Sequence, residues 1–125
     1  MSETTIALVD HLAERFPRLR PILEEHVSDN FGAVLPHLFF GDLTRYAVDL
    51  FLRSRGGSRE GMEAGKELRD LLDFLEDVYV RGGDAIEELI SVSFLEHLPR
   101  PNEEVGWDIR SLVGPEMSKQ LEMIG

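Results

Sequence analysis

Apolar residues recur along most of this chain at intervals of three and four, and the pattern breaks at proline and glycine. Ile6, Leu8, Val9, Leu12, Ala13 and Phe16 form one such stripe. They predict a first helix from Thr4 to Arg15, ended by Pro17. Pro21 suits the opening of a second helix, running to Ser28 with Ile22, Leu23 and Val27, because its missing N–H is not needed in a first turn. Asp29 to Gly32 reads as a turn. Pro36 then opens a third helix, His37 to Arg53, the most apolar segment of the chain. Its polar positions Asp42, Arg45, Asp49 and Arg53 make one narrow stripe, which predicts a central helix packed on several sides.

Ser58 follows the break at Arg55-Gly56-Gly57 and is placed to cap a fourth helix reaching Val80. The first turns of that helix are weak, with Gly61 and Gly65 inside them. From Leu68 onward Leu71, Leu72, Leu75, Val78 and Tyr79 restore the stripe. Gly82 and Gly83 close it. Asp84 and Glu87 stand at capping-box spacing before a fifth helix, Ala85 to Leu98. Ile90 to Phe94 alternates like a strand, but Ile86, Leu89, Ile90 and Ser93 keep a helical period, and helix is the better reading. Pro99 to Asn102 reads as a stiff linker and Glu103 to Asp108 as an acidic loop around Trp107. A helical turn, Ile109 to Val113, and a last helix, Pro115 to Met123, finish the chain. The expected fold is all-α, a single-domain bundle of five main helices plus a short C-terminal helix over residues 1–125.

A length of 125 residues fits one domain with a core that needs no covalent staples. The absence of cysteine removes disulfides, thiolate metal sites and a Cys nucleophile, and fits a reducing cytosol. The N-terminus shows no basic leader followed by an apolar stretch, and no apolar run approaches the length of a membrane helix. The expectation is a cytoplasmic protein with no membrane role.

Charge changes the picture most. Against 13 Lys and Arg stand 24 Asp and Glu, a formal net charge of −11. Nucleic acid is disfavoured, since reading a phosphate backbone takes clustered cations. Catalytic signatures are missing. His11, His26, His37 and His97 hold no helical metal pair, G-x-S-x-G does not occur, and Gly56-Gly57 and Gly82-Gly83 are too sparse to cradle phosphate. No catalytic residue, cofactor or metal is predicted.

The carboxylates are the candidates instead. Glu60, Glu63, Glu67 and Asp70 are spaced three, four and three apart on one face of the fourth helix, continued by Asp73 and Asp77. Glu103, Glu104 and Asp108 add negative charge downstream. Such a face keeps the helix solvated, receives a basic protein, which it would steer in electrostatically, or holds a divalent metal cluster, a reading weakened by the absence of the two E-x-x-H motifs of a di-iron bundle. Affinity needs a desolvated anchor as well, and Trp107 is the candidate, its alternative being a place in the core. Two other readings stand beside this one. The first is an enzyme or small-molecule binder with its site inside the bundle, for which His37, Asp42, Glu96 and His97 are the residues to examine. The second is a structural subunit, or a homodimer through the third helix.

The strings Phe16-Pro17-Arg18-Leu19, Val34 to Leu43, Ile90 to Pro99 and Ile109 to Pro115 resemble segments of a group of small, acidic, uncharacterised bacterial helical proteins. In size, charge and helical content that group is similar to immunity proteins that neutralise bacterial polymorphic or contact-dependent toxins. The resemblance implies a non-enzymatic protein that sequesters a basic partner, a toxin domain of nuclease type, with no catalytic residues to carry over. Leu38, Phe39, Leu43, Phe94 and Leu95 in those strings read as core. Asp42 and Glu96 read as partners for an Arg inside the bundle.

Overall fold

The computed structural model describes residues 3–100, 103 and 106–124, without the side chains of residues 3 and 107. These residues form α1 (Glu3–Arg15), a 3-10 turn (Pro17–Leu19), α2 (Arg20–Asp29), α3 (Pro36–Ser54), α4 (Arg59–Arg81), α5 (Asp84–Ser93), a second 3-10 turn (Leu95–His97), α6 (Gly106–Arg110) and α7 (Pro115–Ile124). There is no strand among them. The protein is an all-α fold.

α3 sits in the middle and packs against α1, α2, α4 and α5. Phe39, Phe40, Leu43, Ala47 and Leu50 are fully buried along it. They meet Leu8, Val9 and Leu12 of α1, Leu68, Leu71, Leu72 and Leu75 of α4, and Leu89 and Ile90 of α5 in one apolar cluster. Met117 and Leu121 close that cluster from α7. The narrow polar stripe on α3 pairs with itself: Arg45 with Asp42, and Arg53 with Asp49 at 2.8 Å.

Ser58 caps α4 as its position implied, its hydroxyl accepting the Gly61 N–H at 3.0 Å. The two glycines that weaken the start of α4 have a spatial reason. A Cβ at Gly61 would lie 2.7 Å from the Arg53 carbonyl oxygen, and one at Gly65 would lie 3.3 Å from Ser54 Cβ. Small residues there let the α3–α4 hairpin close tightly, and that closeness offsets the propensity lost.

Four local expectations are corrected. The fifth helix stops at Ser93 rather than Leu98. A straight continuation would turn Leu95 to the side opposite Ile86; tightening into a 3-10 turn instead buries Phe94, Leu95 and Leu98 together. The capping box at Asp84 and Glu87 does not form: Gly83 holds the cap position, Asp84 is the first helical residue, and no side chain caps. Both carboxylates still lie in the first turn, where the helix dipole favours them. The chain is already helical at Gly106, inside the stretch read as a loop. Leu38 is 58% exposed, not core.

α7 is held by a residue the sequence did not single out. The Glu76 carboxylate, on α4, accepts the backbone N–H of Glu116 at 2.9 Å and of Met117 at 3.0 Å. These are donors of a first helical turn with no partner inside the helix. A Cβ at Gly114 would lie 2.5 Å from Glu76, so this approach requires glycine. Nearby, Tyr79 has its phenol pushed above the usual tyrosine value, first by burial and then by the carboxylates of Glu87, Glu76 and Glu116. Since the folded state holds this proton more tightly than the unfolded chain does, the contribution is complete below pH about 10 and is lost as pH rises through the higher folded value. Phenolate absorbance should therefore include a component titrating above pH about 10 in the folded protein, and Tyr79→Phe should remove it.

Candidate functional site

The α4 carboxylates come together as a face, but not as a uniform one. Glu60, Glu63 and Asp73 are exposed and Asp70 is half-buried, and none of the four makes an ion pair among the described residues. Asp77 is paired with Arg81, both exposed. Glu67 turns inward and accepts the Tyr46 hydroxyl from α3. Glu63, Glu67 and Asp70 line a shallow groove of about 220 Å³ with Lys66, Arg15, Phe16 and Pro17.

The downstream acids fall elsewhere. Glu103 is exposed and accepts the Arg100 N–H at 3.0 Å, and it lines a different groove, of about 350 Å³, with Glu96, His97 and Arg100. Asp108 is exposed, and its carbonyl accepts the Ser111 hydroxyl. Glu104 and the Trp107 side chain lie outside the described residues.

The residues considered for an internal site do not converge on one pocket. His37 Nδ1 is hydrogen-bonded to the Ser93 hydroxyl, and the Thr44 hydroxyl lies 3.3 Å from the Ser93 carbonyl oxygen. Ser93 is buried, and this pair joins α3 to α5. Glu96 and His97 are exposed on the 350 Å³ groove. Asp42 pairs with Arg45 at the surface, not with an Arg inside the bundle, and Glu96 has no ion pair among the described residues. No group of three or more His, Cys, Asp or Glu stands close enough to hold a metal ion, and no helix is long and apolar enough to cross a membrane, among the described residues.

The largest of the three grooves lies between α2 and α3 and had no single signal in the sequence. It has a volume of about 480 Å³ and is lined by Ile22, Glu25, His26, Asp29, Asn30, Leu38, Asp42, Arg45 and Tyr46. Glu25 and Asp29 stand one helical turn apart on α2, and Asp42 faces them from α3. Arg45 is the one Lys or Arg in the lining. His26 is buried at its base, edge-on to Phe39 with ring centroids 5.8 Å apart. Its Nε2 accepts the Leu35 N–H at 3.0 Å, so that nitrogen is unprotonated and the ring proton sits on Nδ1. Nδ1 lies 3.4 Å from the Asn30 amide nitrogen, which itself donates to the His26 carbonyl at 2.7 Å. The nearest carboxylate oxygen to Nδ1 is Asp42 Oδ2, at 4.0 Å.

The Tyr46–Glu67 hydrogen bond joins this groove to the one along α4, because Tyr46 lines the first and Glu67 the second. The result is a carboxylate-rich surface running from α4 across α3 to α2. It carries the carboxylates of Glu63, Glu67, Asp70, Glu25, Asp29 and Asp42, with Arg15, Lys66 and Arg45 among them.

No curated protein and no solved structure matches the chain. A family model described as a domain of unknown function (DUF7674) matches residues 9–123, from the middle of α1 to the last turn of α7. With nearly the whole helical fold inside that match, the chain belongs to the DUF7674 family.

Proposed function

We propose that this protein is a non-enzymatic binder of a basic protein, which it receives on the carboxylates of α4. The observation that carries the reading is that Glu60, Glu63, Asp70 and Asp73 make no ion pair among the described residues, although Lys66 and Arg69 lie on the same helix. Like charges spaced three or four apart on a helix destabilise it by about 0.2–0.5 kcal/mol per pair. A cationic partner relieves that repulsion, and the −11 net charge steers it in. The partner class that fits best is a toxin domain of nuclease type, whose phosphate-binding surface is basic by necessity, and the reading is then that of an immunity protein. An acidic helix laid over such a surface matches the sign of the nucleic acid it excludes.

The test is capture from the native host with the wild-type protein and with a variant carrying Glu60→Gln, Glu63→Gln, Asp70→Asn and Asp73→Asn. The wild type should retain a basic protein at low ionic strength and release it at about 0.5 M salt, where the screening length falls to about 4 Å. The variant should fold at least as stably and retain none. Equal retention by both proteins would contradict the assignment of the α4 face.

A further inference from the structure

Phe31 stands out in two ways. Its side chain is 101% exposed, the extreme among the large apolar residues described. Its backbone is left-handed, with φ 58. The Gly32 N–H bonds to the Val27 carbonyl at 2.8 Å, the six-to-one bond that closes a helix end through one left-handed residue. Glycine normally holds that position, because any side chain there costs about 1–2 kcal/mol. Here a phenylalanine holds it and gains no burial from the rest of the molecule. Left-handed backbone and full exposure thus coincide at this residue.

Phe31 directly follows Asp29 and Asn30, which line the α2–α3 groove. Leu38, 58% exposed, lines the same groove, with Ile22 beside it. The groove lining thus combines the apolar Ile22 and Leu38 with the carboxylates of Glu25, Asp29 and Asp42, and Phe31 follows it directly in the chain. We propose that the groove takes a short peptide segment in which a basic residue alternates with an apolar one: an Arg enters beside Glu25 and Asp29, which make no ion pair among the described residues, and an apolar side chain covers Leu38 and reaches Phe31. Charge selects this occupant. A second copy of the chain would bring another −11, and an anionic membrane or a nucleic acid carries the wrong sign. A bare cation would leave Phe31 and Leu38 in water. Arg suits the site better than Lys because its planar fork meets carboxylates with two bonds and stacks on an aromatic face. The proposal deepens the reading of a basic partner by giving it a second, desolvated point of attachment beside α4.

The probes are two synthetic nine-residue peptides, one alternating Arg with Leu and one alternating Arg with Gly, titrated into the isotope-labelled protein. The Arg–Leu peptide should shift the amide signals of Ile22, Phe31, Leu38 and Asp42 and bind at least about tenfold more tightly than the Arg–Gly peptide. Phe31→Gly keeps the left-handed turn, should leave the fold at least as stable, and should reduce Arg–Leu binding to the Arg–Gly level. The four-site α4 variant should still bind the Arg–Leu peptide in the groove, which separates this proposal from the α4 reading. Equal binding of the two peptides, shifts confined to α4, unchanged binding by Phe31→Gly, or no binding at all would each overturn it.

Discussion

Phe39→Ala should destabilise the fold by about 3–5 kcal/mol, the range for removing a buried aromatic ring. That is a large share of a domain stability of about 5–15 kcal/mol. The ring is fully buried on α3, edge-on to His26 on one side and to Phe40 on the other, with centroids 5.8 and 6.4 Å away. Its neighbours have little freedom to fill the space. His26 is tied to the Leu35 N–H, and α3 is held by four other helices. The lost volume therefore stays as a cavity, which adds to the lost transfer energy. Urea unfolding of wild type, Phe39→Ala and Phe39→Leu measures this, with the leucine variant between the other two. A loss below about 1 kcal/mol for the alanine variant would mean the α2–α3 contact yields where these distances say it is rigid.

Glu76→Ala should destabilise by about 2 kcal/mol, mostly at α7. Two first-turn N–H groups would lose a charged acceptor, and each such bond is worth more than a neutral one. The loss should be uneven. Hydrogen exchange of the α7 amides should speed up well before that of α3, because α7 makes fewer connections to the core. Glu76→Gln, which keeps an acceptor oxygen but loses the charge, should fall between. Uniform acceleration along the chain would show that α7 unfolds only with the rest.

What the sequence made legible was whatever local spacing controls. The stripe on α4 from Leu68 to Leu75, the Ser58 cap and the central position of α3 follow from periodicity and capping chemistry, and each is found as expected. The limits have physical causes too. The end of α5 depends on where Leu95 must point to reach the core, which no local rule specifies. Leu38 reads as core by its type and its neighbours, yet it faces the groove because Phe39 and Phe40 take the buried positions. The groove itself joins residues of α2 to residues of α3 between 9 and 24 positions later, and the Tyr46–Glu67 seam spans another 21 positions. Sequence reasoning reached Asp42 and His26 separately and had no means of placing them together. One local signal was available: Asn30-Phe31-Gly32 sets an aromatic residue just ahead of the glycine of a helix-ending turn.

The α4 carboxylates that make no ion pair among the described residues are where we propose a cationic protein lands. The most direct measurement is the dissociation constant of the captured partner across a salt series, for wild type and for the variant neutralised at Glu60, Glu63, Asp70 and Asp73. Wild-type binding should weaken steeply with salt, and the variant should bind at least about tenfold more weakly at low salt with a flatter dependence. Identical constants and identical salt dependence for the two proteins would contradict it.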